Sequence, residues 1–155
     1  MRILALAASH LVTLGIGFAL GIYLLPILTA PPSPEAETLA IEAQDARYSA
    51  TLTRELAGSD ALHWGEGTIS VTDSSIVHQG ALAAGPDYRV YLVDGFVEDE
   101  AGFEAVKDSA AFIGEVESFE GFLLDVPAGI DIEAYDTVIV WCETFGEFIT
   151  AGRYR

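Results

Sequence analysis

The sequence contains one cysteine, one methionine and no asparagine. A single cysteine excludes a disulfide within the chain, and the lack of asparagine excludes an N-glycosylation sequon. Basic residues are also scarce, since seven Lys and Arg stand against 24 Asp and Glu and give a net charge of −17. So acidic a chain repels the phosphate backbone of nucleic acids, which excludes nucleic-acid binding as a function class.

Charge is missing altogether from the stretch between Ile3 and Leu28. This apolar run of roughly 26 residues exceeds the ~20 that a helix needs to cross a bilayer. It is also longer than the apolar region of a signal peptide, which is ~7–15 residues. It therefore predicts an uncleaved transmembrane signal-anchor over residues 1–28. Because Arg2 precedes the run, the positive-inside tendency places everything after it outside the cytoplasm.

The composition also suggests a location. Ala and Gly are used heavily and Lys is rare, which favours a bacterial inner-membrane protein whose C-terminal domain faces the periplasm. Within the anchor, Gly17 and Gly21 form a small-xxx-small pair through which two such helices could dimerise.

A change of pattern follows the anchor. Residues 29–47 begin with the Pro-rich "TAPPSPEAE", an extended spacer that is expected to lift the domain off the membrane, with Ser33 as a possible cap of a short helix. From Tyr48 the apolar period is two, and Gly, Pro and Asp separate short segments. The predicted strands lie in 67–73, 88–96, 112–119, 121–127, 136–145 and 146–154. This pattern predicts an all-β domain over residues 48–155, an antiparallel sandwich or barrel.

Three motifs within this domain are distinctive in order and spacing: "HWGEGTISV" at 63–71, "GPDYRVYL" at 85–92 and "YDTVIVWC" at 135–142. In these motifs the chain resembles the DM-thirteen domain family. The resemblance implies an electron-transfer module of a kind often found beside DOMON domains. It also implies that Cys142 is a redox thiol or a ligand to a prosthetic group. Since this chain carries no DOMON neighbour, a separate redox protein is the expected partner.

The residues around Cys142 leave its role open. Val138, Val140 and Cys142 share one face of the predicted strand, and Ile139, Trp141 and Phe145 share the other. A Cys on the core face behaves as a small buried hydrophobe. A reactive thiol needs nearby positive charge, whereas its sequence neighbours are Glu143 and Glu147, which together with burial raise a thiol pKa. Core packing and redox chemistry both remain possible.

A ligand role needs partners for the sulfur. His63 and His78 together with Cys142 would make the two-His, one-Cys ligand set of a copper site, but the short loop that usually clusters these ligands is missing. Haem attachment is equally unsupported by spacing, because there is no Cys-x-x-Cys-His. His63 and Trp141 are candidate cofactor contacts. The structural alternative is that His63 bonds a strand edge and that His78 lies in the turn-like "VHQG".

The remaining candidates are weaker. The acidic run 94–108 lacks the spacing of an EF-hand and is expected to be a solvated hairpin tip. Nothing in the sequence indicates an enzyme with its own substrate pocket. Two functions from different classes therefore remain. One is a membrane-tethered redox module that uses Cys142, and the other is a non-catalytic binding or assembly domain in which Cys142 is a core residue.

Overall fold

The computed structural model describes all 155 residues, and its first element is one long apolar helix. Helix α1 runs from Arg2 to Thr29, 28 residues, and none of them is buried by the rest of the chain. Its length and composition are sufficient to cross a membrane. The uncharged run therefore forms the single continuous helix that the sequence predicts.

The rest of the chain forms two short helices and eight strands. The helices are α2 (Ala36–Glu42) and α3 (Glu100–Val106), and short 3-10 turns occupy Ala43–Asp45, Lys107–Ser109 and Ile132–Ala134. The strands are β1 (Tyr48–Leu52), β2 (Gly65–Val71), β3 (Ser75–Leu82), β4 (Tyr88–Val93), β5 (Ala111–Val116), β6 (Phe122–Asp125), β7 (Thr137–Cys142) and β8 (Glu147–Arg153).

The strands pair into two four-stranded antiparallel sheets. The first has the order β1-β2-β3-β6 and the second has the order β5-β4-β7-β8. The predicted antiparallel sandwich is thus confirmed for the domain, although the chain as a whole is not all-β because it also contains α1, α2 and α3.

The main core lies between the two sheets. Its 18 buried residues include Ile69 and Val71 from the first sheet and Val138 and Val140 from the second. These pairs are spaced by two residues, as expected for side chains on one face of a strand. The period-two pattern in the sequence therefore identified the inward face of both sheets.

A second core covers the outer face of the second sheet. The acidic run 94–108 does connect the antiparallel neighbours β4 and β5, as predicted for a hairpin, but it is not a purely solvated tip. It contains α3, whose cap Asp99 accepts a hydrogen bond from the Gly102 amide at 2.7 Å. Phe103 on α3 is fully buried, with its ring centroid 4.9 Å from that of Trp141 and 5.3 Å from that of Tyr91. One apolar side chain among the acids thus folds this segment onto the sheet.

The segment after α1 also differs from expectation, because it packs on the domain. Ser33 does not cap α2; its Oγ accepts a hydrogen bond from the Glu120 amide at 3.1 Å, and the helix cap position is Glu35. Leu39 on α2 is buried against Gly121, beside β3. The predicted short helix forms, but the spacer lies along the sandwich and does not lift the domain away from α1.

The packing of α3 on the outer face of the second sheet should contribute strongly to the free energy of unfolding. Phe103→Ala removes a fully buried ring, so we expect the free energy of unfolding to fall by about 3–5 kcal/mol. Denaturant titration of the full chain in detergent measures this. The control is Phe112→Ala, whose ring also contacts Tyr91 but is 43% exposed, and we expect a loss below about 1.5 kcal/mol. Equal losses in the two variants would contradict the assignment of Phe103 as the anchor of this packing.

Candidate functional site

The lone cysteine lies at the end of the sandwich nearest to α1. Cys142 is the last residue of β7, is 3% exposed and belongs to the core between the sheets. Its Sγ donates a hydrogen bond to the Pro86 carbonyl oxygen at 3.0 Å. Directly across the ladder, its partner in β4 is Tyr88, which is also buried. The face assignment made from strand alternation is therefore confirmed for Cys142.

The turn that receives this hydrogen bond comprises Gly85, Pro86 and Asp87, and we call it the GPD turn. A Cβ at Gly85 would lie 2.4 Å from the Tyr88 hydroxyl, so no other residue fits there without displacing that ring. Asp87 adopts a left-handed conformation with φ 54°, which Asp tolerates better than most residues. Its carbonyl accepts from the Glu143 amide at 3.0 Å, and its carboxylate accepts from Thr144 Oγ1 at 2.9 Å. The GPD turn and residues 142–144 thus hold each other in place.

A small cavity of about 200 Å³ opens beside Cys142. It brings Cys142 and His63 together, although they are far apart in the sequence, and leaves out His78 and Trp141. Its wall is mostly apolar and consists of Ile22, Tyr23, Leu62, His63, Ala84, Gly85, Tyr88, Cys142, Phe145, Glu147 and Ile149. Phe145 was predicted on the opposite face from Cys142. It instead lies in the turn after β7 and lines this cavity, because the strand ends at Cys142 and alternation stops there.

His63 is held in place by Asp60. The Asp60 carboxylate accepts from the Leu62 and His63 amides, each at 2.7 Å, and lies 3.1 Å from His63 Nδ1. The bond from the Leu62 amide is the main reason why the pKa of Asp60 is lowered. When Nδ1 donates to Asp60, the lone pair of the neutral imidazole lies on Nε2. His63 therefore contributes to the wall of the cavity an imidazole that Asp60 holds in place.

The thiol is protonated in this environment. Burial raises the pKa of Cys142, and the carboxylates of Asp87 and Glu147 raise it further, while the Phe145 and Thr144 amides partly offset this. The predicted direction is confirmed, but of the two predicted carboxylates only Glu147 acts, and Asp87 takes the place of Glu143. Cys142 is therefore not a ready nucleophile, since a thiolate is the reactive form.

Glu143 points instead to the outer face of the second sheet. Its carboxylate accepts from the Tyr91 hydroxyl and from Lys107 Nζ, the latter at 2.7 Å. Burial opposes its ionisation, but the bonds from Lys107 and Tyr91 outweigh burial and hold the pKa of Glu143 below its ordinary value. Burial and the bond to Glu143 raise the pKa of Tyr91 to about 12. Sequence analysis missed this network, because its members come from β4, the 3-10 turn after α3, and the end of β7.

Trp141 belongs to the same outer face. It is 1% exposed, stacks near Phe103 and has Lys107 Nζ 5.2 Å from its ring centroid. It shares no cavity wall with Cys142, although the two are adjacent in sequence, because successive side chains of a strand point to opposite faces.

The turn predicted for His78 is wrong. His78 lies in the middle of β3, is fully buried, and has Nε2 3.1 Å from the Glu66 carbonyl oxygen. Burial lowers its pKa, so the imidazole is neutral at pH 7. Its ring packs 5.1 Å from that of Phe122 in β6. The β-branched pair Ile76 and Val77 was the strand signal available, but the Gly and Gln of "VHQG" suggested a turn.

The residues around Cys142 do not fit a prosthetic group. No three His, Cys, Asp or Glu side chains are grouped so that they could hold a metal ion. A haem is at least as large as ligands that need cavities of ~300–1,000 Å³, whereas the cavity at Cys142 is about 200 Å³. The residues present therefore fit neither a self-contained copper centre nor an enclosed haem.

One comparison with known proteins gives a match. The family model described as "Electron transfer DM13" matches residues 56–154, which contain strands β2 to β8 and the candidate site apart from Ile22 and Tyr23 of α1. No curated protein and no solved structure matches the chain.

The protonated, enclosed thiol gives a direct prediction. In the folded full chain, we expect alkylation of Cys142 by iodoacetamide at pH 8 to be at least about tenfold slower than that of free cysteine, because little thiolate is present and access is limited. Mass spectrometry of timed samples measures the rate. In guanidinium chloride the rate should rise to the free value. A folded-state rate equal to that of free cysteine would contradict the enclosed position.

The Glu143 network predicts a pH-dependent contribution to stability. Glu143→Gln should lower the free energy of unfolding at pH 7 by about 1–3 kcal/mol, because a hydrogen-bonded charge is lost. The folded pKa lies below the ordinary 4.5, so this contribution is present above 4.5 and is lost as the pH falls through the folded value. Denaturant titrations between pH 7 and pH 3 should show the difference shrinking. Glu117→Gln, an exposed control, should show no such trend.

Proposed function

The chain belongs to the DM13 electron-transfer family, and from this membership we propose that it is a membrane-anchored electron-transfer domain whose redox group is Cys142. Helix α1 supports the anchor, because the domain buries none of its residues and its length and composition suit a bilayer core. Arg2 at the start of the helix favours a bacterial inner-membrane anchor whose domain lies outside the cytoplasm, in the periplasm. Gly17 and Gly21 lie on its exposed surface, and dimerisation through them stays a prediction.

The observation that carries this proposal is the shared cavity of Cys142 and His63. Because its pKa is raised, Cys142 gives up an electron together with its proton. A separate oxidising redox protein takes the electron, the imidazole of His63 relays the proton to water, and a sulfur-centred radical remains. Return of one electron and one proton restores the thiol. Burial supports this use of the sulfur, because it limits access of solvent and other thiols to the radical.

The surface charge suggests which protein accepts the electron. The net charge of −17 favours association with a redox protein that presents a basic patch, and such pairing accelerates encounter at low ionic strength. The DM13 domain would then act as an accessory to that protein and needs no substrate pocket of its own.

A second function is favoured by the burial of Cys142. Its 3% exposure and its bond to Pro86 are also what a purely structural cysteine would show. In that case the domain is a non-catalytic extracytoplasmic binding or assembly module, and the thiol serves only to hold the GPD turn.

Voltammetry of the full chain in detergent distinguishes the two functions. We expect a wave that is lost in Cys142→Ser and whose midpoint falls by about 59 mV per pH unit, as for one proton per electron. The control is Val140→Thr, which places a hydroxyl on the same buried face of β7 but off the cavity wall, and it should keep the wave. If the wild type shows no wave, the electron-transfer role of Cys142 is wrong and the structural function replaces it.

A further inference from the structure

The end of the sandwich that holds Cys142 is also the end that meets α1. We call it the thiol end, and it comprises the GPD turn, the loop 60–64 and the turn 143–146. Ile22 and Tyr23 of α1 line the cavity at Cys142. A second cavity of about 510 Å³ lies next to it, between Leu25, Pro26 and Thr29 of α1 and the GPD turn. The last two turns of α1 thus lie against the thiol end.

The length of α1 indicates where this contact lies relative to the membrane. Its 28 residues at 1.5 Å per residue span ~42 Å, whereas a bilayer core of ~30 Å takes only ~20 residues. Counted from Ile3, where the apolar run starts, the core would end near Ile22. Tyr23 then lies at the boundary where membrane proteins concentrate aromatic side chains. The residues of α1 that line the cavity of Cys142 are therefore those at the predicted membrane surface.

The thiol end presents apolar side chains in two separate loops. Leu62 is 55% exposed and Phe145 is 50% exposed, and both line the cavity. The opposite, distal end exposes Asp73 together with Pro127, Ala128 and Gly129, and the loop after β4 leaves Phe96 43% exposed there. Two exposed apolar side chains beside α1 at the thiol end, against Phe96 at the distal end, favour one orientation of the domain on a bilayer.

The charge around the thiol end indicates which lipids suit it. Carboxylates of Asp60, Asp87, Glu115, Glu117 and Glu147 surround the two cavities. Their basic partners are Arg89, which lies near Asp87 and Glu115, and His63, which lies near Asp60. Such a ring repels anionic head groups. It suits zwitterionic lipids, whose ammonium groups carry the opposite charge.

From these observations we propose that the thiol end rests on a bilayer of zwitterionic lipids, with Leu62 and Phe145 inserted into its interface. The cavity of Cys142 then opens at the membrane surface and not into bulk solvent. This inference rests on the membrane anchoring proposed above. Its partner is the lipid surface itself. The spacer after α1 holds the domain close to that surface, because Ser33 and Leu39 of the spacer contact the domain.

The test uses the full chain in phosphatidylcholine nanodiscs. In a Cys142→Ser background, Phe145→Cys and, separately, Leu62→Cys carry a bimane label, and Ala128→Cys at the distal end is the matched control. Lipids with a nitroxide near the head group report proximity, and iodide reports contact with water. We expect nitroxide quenching at positions 145 and 62 to exceed that at position 128 at least about twofold, as for side chains ~5–10 Å into the interface. Iodide quenching should be stronger at position 128 than at positions 145 and 62.

Each outcome decides the proposal. Equal nitroxide quenching at the thiol and distal ends, in chains that co-elute with nanodiscs, would overturn this inference and leave the anchor intact. Chains that separate from nanodiscs would overturn the anchor and this inference together. Replacing half of the lipid by phosphatidylglycerol should reduce quenching at position 145. An increase instead would mean that anionic lipid is the partner and that the zwitterionic assignment is wrong.

Discussion

The hydrogen bonds between the GPD turn and residues 142–144 are the constraint on which the candidate site depends. The Pro86 carbonyl accepts the thiol hydrogen, the Asp87 carbonyl accepts the Glu143 amide, and the Asp87 carboxylate accepts the Thr144 hydroxyl. These bonds join the start of β4 to the end of β7, which are already paired strands. They close the end of the sandwich around Cys142 and leave a cavity too small for a large cofactor.

Strand β7 separates two environments that are adjacent in sequence. Cys142 faces the core and an acidic surrounding, where burial keeps the thiol protonated. Trp141 faces α3 and the single lysine of the chain, and Glu143 turns to the same side to pair with Lys107 and Tyr91. A charged network therefore stabilises the outer face without placing a cation near the sulfur. That arrangement disfavours nucleophilic thiol chemistry and is compatible with coupled loss of an electron and a proton.

The packed spacer links the site to the helix. Because Ser33 bonds the Glu120 amide and Leu39 is buried at β3, the chain leaves α1 along the side of the sandwich and not as a free tether. The thiol end then lies against the last turns of α1, where Ile22 and Tyr23 complete the wall of the cavity. A redox protein of the kind proposed would reach Cys142 at this junction of helix and domain.

Local pattern in the sequence was enough to determine the uncharged helix, the short helix α2, most of the strands and the face that Cys142 shares with Val138 and Val140. Helix α1 follows from its long uncharged apolar run, and β4 and β7 follow from apolar side chains that recur with the period of a strand. Tertiary structure decided the features that need distant partners. His63 and Cys142 line one cavity only because of the order in which the strands pair. Burial of Phe103 packs the acidic run 94–108 against the second sheet, and the strands that pair with β3 bury His78. The physical reason is that a side chain's environment depends on which strands become neighbours, and strand alternation carries no information about that.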